Sequence, residues 1–236
     1  MKTLILIPAY NEQDSISNTI QDIEGSCSLE DIGYLVINDR STDGTKEILE
    51  KYSIPYLDMP INLGIGGGVQ AGYRYALENG YDIAVQFDGD GQHMAEYIEN
   101  LVAPIKAGKA DVVIGSRFLT NEGFQSSALR RFGIRFLSEL IFMLCGIRIR
   151  DVTSGMRAVN RKMIEEFAKN YAQDYPEPEA ILASGLMKAR IVEIPVQMRE
   201  RQGGTSSINA LRSIYYMVKV SAALVITRLT IQRGKC

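Results

Sequence analysis

Ile83-Ala84-Val85-Gln86-Phe87-Asp88-Gly89-Asp90-Gly91-Gln92-His93 is an apolar run that ends on two carboxylates one residue apart, with glycine beside each of them. The apolar part predicts a strand over 83–87. Two carboxylates at a strand end, with little side-chain bulk around them, can approach a Mg²⁺ or Mn²⁺ ion bound to a diphosphate, because such hard cations take oxygen ligands. Asp-Gly-Asp-Gly is also ordinary turn chemistry, so the motif gains its meaning from what surrounds it.

Short apolar runs at 3–7, 34–37, 55–57 and 112–114 read as further strands. Segments 14–24, 45–52, 68–78 and 95–107 carry apolar residues at helical spacing between them. Alternation of this kind predicts an α/β fold, a doubly wound, mostly parallel sheet flanked by helices. Ligands of such sheets bind beyond the carboxyl ends of the strands, and polar blocks stand at those places. Pro8-Ala9-Tyr10-Asn11-Glu12 follows the first strand, Asn38-Asp39-Arg40-Ser41-Thr42-Asp43-Gly44-Thr45 the second, and Asn62-Leu63-Gly64-Ile65-Gly66-Gly67-Gly68 precedes the third helix. The glycines could let backbone approach a ligand, and Tyr10 could stack on a base. After Gly115 the pattern changes to a long Arg-bearing helix at 127–145, a polar loop around Asp151, a short strand near 156–159, a helix from 179 to 189 and a strand at 191–196.

The composition is that of an ordinary globular chain, 236 residues with 46% hydrophobic and 23% charged. Met1-Lys2 leads straight into the first strand with no secretory signal, which predicts a cytoplasmic protein. Cys27, Cys145 and Cys236 offer neither a disulfide framework nor a zinc site. Charge is unevenly placed although the net is only -2: residues 117–150 hold six Arg against two Glu, and 199–236 hold seven Lys/Arg against one Glu. An acidic cleft suits a metal, and basic faces suit phosphates or an anionic membrane surface; no nucleic acid is expected. Segment 213–227 has Lys219 as its sole charge. As a helix it would cover roughly 22 Å, short of the roughly 30 Å hydrocarbon core. It is read as a C-terminal amphipathic helix that lies on a membrane or against a partner, with packing on the chain's own core as the alternative. The division expected is 1–206 for the globular domain and 207–236 for this helix.

The ordered blocks, together with Gly115-Ser116-Arg117, Asp151-Val152-Thr153-Ser154-Gly155-Met156-Arg157 and Arg201-Gln202-Gly203-Gly204-Thr205-Ser206, resemble those of the family 2 glycosyltransferases of the GT-A fold. The likeness is greatest to the polyprenyl-phosphate (dolichol-phosphate type) sugar transferases of bacterial surface-polysaccharide synthesis. The resemblance implies that Pro8, Tyr10, Glu12 and Asp39 hold the nucleoside, alongside Gly64, Asp88, Gly89 and Asp90. It implies a metal on Asp90 and Gln92 with Asp88 beside them, an acceptor phosphate on Arg117 and Arg131, and the donor diphosphate on Arg201. Arg40 stands where the family usually has Gly, and the two membrane helices that often follow the catalytic domain are missing.

These expectations describe an enzyme that moves a sugar from a nucleotide diphosphate sugar, UDP-linked by expectation, to polyprenyl phosphate at the cytoplasmic membrane face, with inversion. A lipid phosphate is already anionic and needs no strong base. A sugar hydroxyl on a lipid-linked glycan, the alternative acceptor, would need a carboxylate to take its proton, and Asp151 and Glu179 are the candidates. The lone His93 is read as a packing or supporting residue. A silent nucleotide-binding scaffold has no need of the Asp88/Asp90 pair with Arg201, and a nucleotidyltransferase would carry a different first loop. A small membrane-protein partner and a homo-oligomer remain open readings of the C-terminal helix.

Overall fold

In the computed structural model, described for residues 1–27, 31–120, 128–199 and 210–233, seven strands form one sheet. They are β1 (Thr3–Ala9), β2 (Ile32–Asn38), β3 (Tyr56–Asp58), β4 (Ile83–Gln86), β5 (Val112–Ser116), β6 (Arg157–Asn160) and β7 (Ile191–Pro195). Their order is β3-β2-β1-β4-β6-β5-β7. All neighbours are parallel except β6, which runs antiparallel between β4 and β5. The helices are α1 (Ile16–Ser26), α2 (Thr45–Lys51), α3 (Gly64–Glu78), α4 (Ile98–Lys106), α5 (Ala128–Cys145), α6 (Arg161–Lys169), α7 (Pro176–Leu186) and α8 (Ala210–Arg233).

The first strand shows why the fold takes this form. Every residue of β1 is buried, so its Leu-Ile-Leu-Ile run needs no polar alternation, as for a strand covered on both faces. Leu4 and Leu6 enter a core shared with residues of α3, α5, α6, α7 and α8. Ile5 and Ile7 enter the opposite core, with residues of α1, α2 and α4. The period of two thus divides one strand between two layers of helix.

Three features differ from the sequence reading. The strand expected near 156–159 is present as β6, but it runs antiparallel, and the helix α6 that follows it was not expected. Asn160 ends β6 and caps α6 by accepting from Met163 N at 3.1 Å, and the helix buries Met163, Ile164, Phe167 and Ala168. Helix α7 starts at Pro176, three residues before the expected Glu179, since proline at a first helical position lacks only a donor that would go unpaired. Helix α3 starts at Gly64 rather than Gly68, so the glycine-rich block is helix and not loop. Gly64, at φ 73, makes the turn into it. The next glycines face protein rather than ligand: a Cβ on Gly66 would lie 2.1 Å from the Ala172 carbonyl oxygen, and one on Gly67 2.5 Å from Leu63 Cβ.

Helix α8 is 24 residues long, longer than the expected 213–227. It packs on α5 and α7, burying Val220 and Leu224, while Tyr216 meets Tyr175 edge-on at 5.1 Å. No helix among the described residues is long and apolar enough to cross a membrane. The boundary expected between residues 206 and 207 lies outside the described residues.

Gly66→Ala must push the backbone of residues 172–173 away from α3, and overpacking against backbone costs about 3 kcal/mol. Thermal unfolding should drop by roughly 6–12 °C for a chain of this size. Gly25→Ala, inside α1 with nothing within 4 Å of the added Cβ, should leave the transition unchanged or raise it. Equal transitions for the two variants would contradict the packing described.

Candidate active site

The loops after β1, β2 and β4 meet over the carboxyl edge of the sheet and enclose a cleft of about 370 Å³. One end is lined by Pro8, Ala9, Tyr10, Glu12, Asp39, Asn62, Gly64 and Gly68, and the other by Asp88, Gly89, Asp90 and Glu177. Hydrogen bonds between loops fix the first end. Asn11 N donates to Ser41 Oγ at 3.0 Å and Thr42 N to Asn11 Oδ1 at 2.8 Å. Glu12 N donates to Thr45 Oγ1 at 2.9 Å. Both Asn11 and Arg40 sit at left-handed φ, 58° and 61°. At Arg40, where the family resemblance expects glycine, the chain keeps the glycine-like backbone and accepts the strain of a side chain there. Asp39 is buried at the floor of this end, its Oδ1 accepting from Leu63 N at 2.7 Å.

The Asp-Gly-Asp loop is braced from below. Ser15 Oγ and Thr19 Oγ1, both on the α1 side, donate to the Gly89 carbonyl at 2.9 and 3.2 Å. Gly91 takes φ 74, and Asp90 Oδ1 accepts from Gln92 N at 3.1 Å. His93 is buried edge-on against Phe87, accepts from Asp88 N on Nδ1 at 3.1 Å and sets Nε2 3.6 Å from Asp88 Oδ2. It supports Asp88, as the sequence reading held. Arg199 N donates to the Gln92 carbonyl at 2.9 Å, which brings the chain just before the Arg201 block to the metal loop; Arg201 itself lies outside the described residues. Asp88 and Asp90 are hard oxygen donors facing the cleft, and they fit a divalent ion. No group of three such residues is present among the described residues, so an ion here would complete its shell with diphosphate oxygens and water.

Behind the loop, residues 151–157 support two parts of the site at once. Asp151 is fully buried and clamps Arg117: Oδ2 accepts from Nε and Oδ1 from Nη2, both at 2.7 Å, and Oδ2 also takes Arg117 N at 3.1 Å. Thr153 Oγ1 accepts from Nη2 at 3.0 Å. Gly155 lies so close to the metal loop that a Cβ there would sit 2.5 Å from Asp88 Oδ2. Arg157, buried beneath the cleft, donates to the Ser154 carbonyl at 2.7 Å and the Glu177 carbonyl at 3.4 Å.

The geometry corrects both expected bases. Asp151 has no exposed surface and spends its oxygens on Arg117, so it positions a cation and cannot receive a substrate proton. Glu179 turns away from the cleft toward α8, where Thr227 Oγ1 donates to it at 3.1 Å. The carboxylate that faces the cleft is Glu177, two residues earlier. Burial raises its pKa above the ordinary glutamate range; the Arg157 charge opposes this, and the Asp88 charge adds to it.

The expected acceptor pair is also altered. Arg117 is near enough to Asp88 to be influenced by its charge. Its cationic neighbour from α5 is Arg130, whose pKa is lowered by loss of hydration and by the Arg117 charge. Arg130 and Arg131 are both exposed on α5, and Arg130 is the one that feels the Arg117 charge. Two guanidiniums that repel each other form a site relieved by an anion. Glu177 and Arg130 were within reach of the sequence only as members of the Pro176-Glu177-Pro178-Glu179 and Arg130-Arg131 pairs, and helix phase selects the member.

Gly155→Ala should displace the Asp88 carboxylate while leaving the core untouched. Misplacing a catalytic group by about 1 Å costs on the order of 100-fold in rate, so kcat/KM should fall by about that factor with an unchanged melting transition. Full activity in this variant would show that Asp88 does not need the position seen here.

Comparison with known proteins agrees with this geometry. The profile of Glycosyl transferase family 2 matches residues 4–168. The undecaprenyl-phosphate mannosyltransferase of Micrococcus luteus is 30% identical over 89% of this chain and 88% of its own length. The polyprenol monophosphomannose synthase of Mycolicibacterium smegmatis is 27% identical over 99% of this chain and 91% of its own. Among solved structures, glucosyl-3-phosphoglycerate synthase from Mycobacterium tuberculosis, crystallised with Mn²⁺ and UDP-glucose among other ligands, has the same fold. One of its structures superposes with a TM-score of 0.72 at 19% identity, covering 97% of this chain and 79% of that one. With a matching profile over most of its length and a relative 30% identical over 89% of the chain, the chain belongs to glycosyl transferase family 2 and is a glycosyltransferase.

Proposed function

We propose that the enzyme transfers a sugar from a UDP-sugar to polyprenyl phosphate at the cytoplasmic face of the membrane, with a divalent ion on the donor diphosphate, for surface-polysaccharide synthesis. The observation that carries this reading is Arg117, clamped by Asp151 through two 2.7 Å hydrogen bonds and within electrostatic reach of Asp88 and of Arg130 at the amino end of α5. Paired cations at the edge of a sugar-donor cleft suit an acceptor that is itself a phosphate. The polyprenyl-phosphate relatives named above support the same acceptor.

At the donor end, Tyr10 is half exposed beside Asp39 and supports stacking on the base. Asp39 Oδ1 is held by Leu63 N, which leaves its second oxygen for the single imide N–H of uracil. Asp88 and Asp90 would hold a Mg²⁺ or Mn²⁺ ion, which would supply Lewis-acid neutralisation of the diphosphate charge. Arg117 and Arg130 orient a phosphate oxygen behind the anomeric carbon. The C1–O bond to the diphosphate breaks as the C1–O bond to the acceptor forms, and the nucleoside diphosphate leaves with the bonding pair. An acceptor phosphate is ionised already, so no side chain has to remove a proton, and alignment supplies most of the rate.

A second reading, transfer to a sugar hydroxyl of a lipid-linked glycan, is favoured by Glu177 alone. Its carboxylate lies in the cleft with a raised pKa, as a general base would.

The deciding experiment supplies membranes containing the enzyme with radiolabelled UDP-, GDP- and dTDP-sugars and polyprenyl phosphate. Label should enter lipid from one UDP-sugar, vanish with chelator, fall at least about 100-fold in Asp90→Ala and persist in Glu177→Gln. Label that enters a glycan and not polyprenyl phosphate, and is lost in Glu177→Gln, would overturn the phosphate acceptor in favour of the hydroxyl.

A further inference from the structure

Eight of the fifteen described residues that expose large apolar side chains lie on α5 and α8, two helices that pack together, and the others, among them Tyr10, Ile61, Leu63 and Ile65 near the cleft, are scattered over other elements. On α5, Phe132 is 70% exposed and Met143 73%, with Phe136 and Phe142 also exposed. On α8, Val218, Val225, Ile226 and Leu229 are exposed. Spacings of four and seven residues put Phe132, Phe136 and Met143 on one stripe. This stripe borders Gly133, which meets Met217 of α8 with only 3.0 Å between its would-be Cβ and Sδ. The exposed side chains of α8 begin on the flank next to Met217, so apolar surface continues across the seam between the helices. Beyond the stripe on α5 come Arg131 and Arg135, both exposed, and Arg148, which stacks 4.8 Å over Phe142 and pairs with Glu139.

We propose that this α5–α8 ridge is a docking surface for an anionic lipid bilayer, with Phe132, Phe136 and Met143 entering the acyl boundary and Arg131 and Arg135 among the headgroups. Aromatic and apolar side chains beside exposed arginines have the chemistry of an interfacial helix, and the cations select negatively charged lipid. The inference shifts the principal anchor from the C-terminal helix to α5. It also explains how a chain with no crossing helix among its described residues reaches a membrane acceptor. The amino end of α5 carries Arg130, within reach of the Arg117 charge, so a ridge lying in the interface would bring the proposed phosphate site toward the headgroups. In this it rests on the proposed polyprenyl-phosphate acceptor, while the docking itself is measured without any substrate.

The test uses the full chain and vesicles of phosphatidylcholine with or without phosphatidylglycerol. The chain has no Trp, so Phe136→Trp installs a single reporter. Its emission should shift to the blue and be quenched by brominated acyl chains when phosphatidylglycerol vesicles are added. Sedimentation with those vesicles should weaken with salt. It should fall at least tenfold in the Phe132→Ser/Phe136→Ser/Met143→Ser variant and about fivefold or more in Arg135→Glu, with melting transitions unchanged. Absence of a blue shift, or equal sedimentation of the wild type and triple variant, overturns the proposal. So does a wild type that is dimeric in solution and turns monomeric in the triple variant, because the ridge would then be covered by a second copy. A failed transfer assay with intact vesicle binding would instead count against the proposed acceptor and leave the docking surface standing.

Discussion

The site depends on one ion pair that solvent does not reach. Asp151, at 0% exposure, holds Arg117 through two 2.7 Å contacts, and its own backbone N donates to Glu193 Oε1 at 3.0 Å. Glu193 lies on β7 and Arg117 just after β5, so two carboxylates, those of Asp151 and Glu193, tie these strands to the loop that leads into β6. A buried pair of this kind stabilises little by itself and is costly to break, since either partner alone leaves a charge without hydration. Its effect is positional: a guanidinium that would otherwise sample many rotamers is held in one place, within reach of the Asp88 charge.

The same loop, four residues further on, sets the other reacting end. Gly155 leaves room for the Asp88 carboxylate, and Arg157 lies beneath Glu177. The Asp88–Asp90 loop, Glu177 and Arg117 are therefore placed relative to one another by one seven-residue segment, which is fastened into the sheet by the antiparallel β6. The end of the cleft around Tyr10 and Asp39 is built separately, from the parallel β1, β2 and β3 and the hydrogen bonds between their loops. This division suits a transferase in which the nucleotide is held firmly and the geometry between sugar and acceptor decides the rate.

Much of the donor half was legible in the sequence because strand, turn and ligand block follow one another within a dozen residues. The Asp88 loop, Asp39 and Tyr10 could be placed from local pattern alone. The acceptor half was less legible, since its contacts join residues 34 or more positions apart, as Arg117 and Asp151 do. Local pattern put Asp151 in a polar loop, where it looked free; the partner that occupies it comes from a distant strand end. Glu177 and Glu179 are equivalent by composition, and helix phase sends one to the cleft and the other to Thr227. The glycines of α3 signalled close approach correctly, but Gly66 and Gly67 approach the chain's own residues. The short α6 carried too few residues for its period to stand out, and the antiparallel direction of β6 depends on distant neighbours.

The central claim is that Asp151 acts by fixing Arg117 for the acceptor and takes no part in proton transfer. Steady-state kinetics of Asp151→Asn, measured below its melting transition with donor and polyprenyl phosphate varied in turn, tests it most directly. The account predicts that KM for polyprenyl phosphate rises about tenfold or more while KM for the nucleotide sugar changes less than about twofold. It also predicts that adding Arg117→Lys causes little further loss, because the two residues act as one unit. A fall in kcat alone with both KM values unchanged, or an additive loss in the double variant, would contradict it.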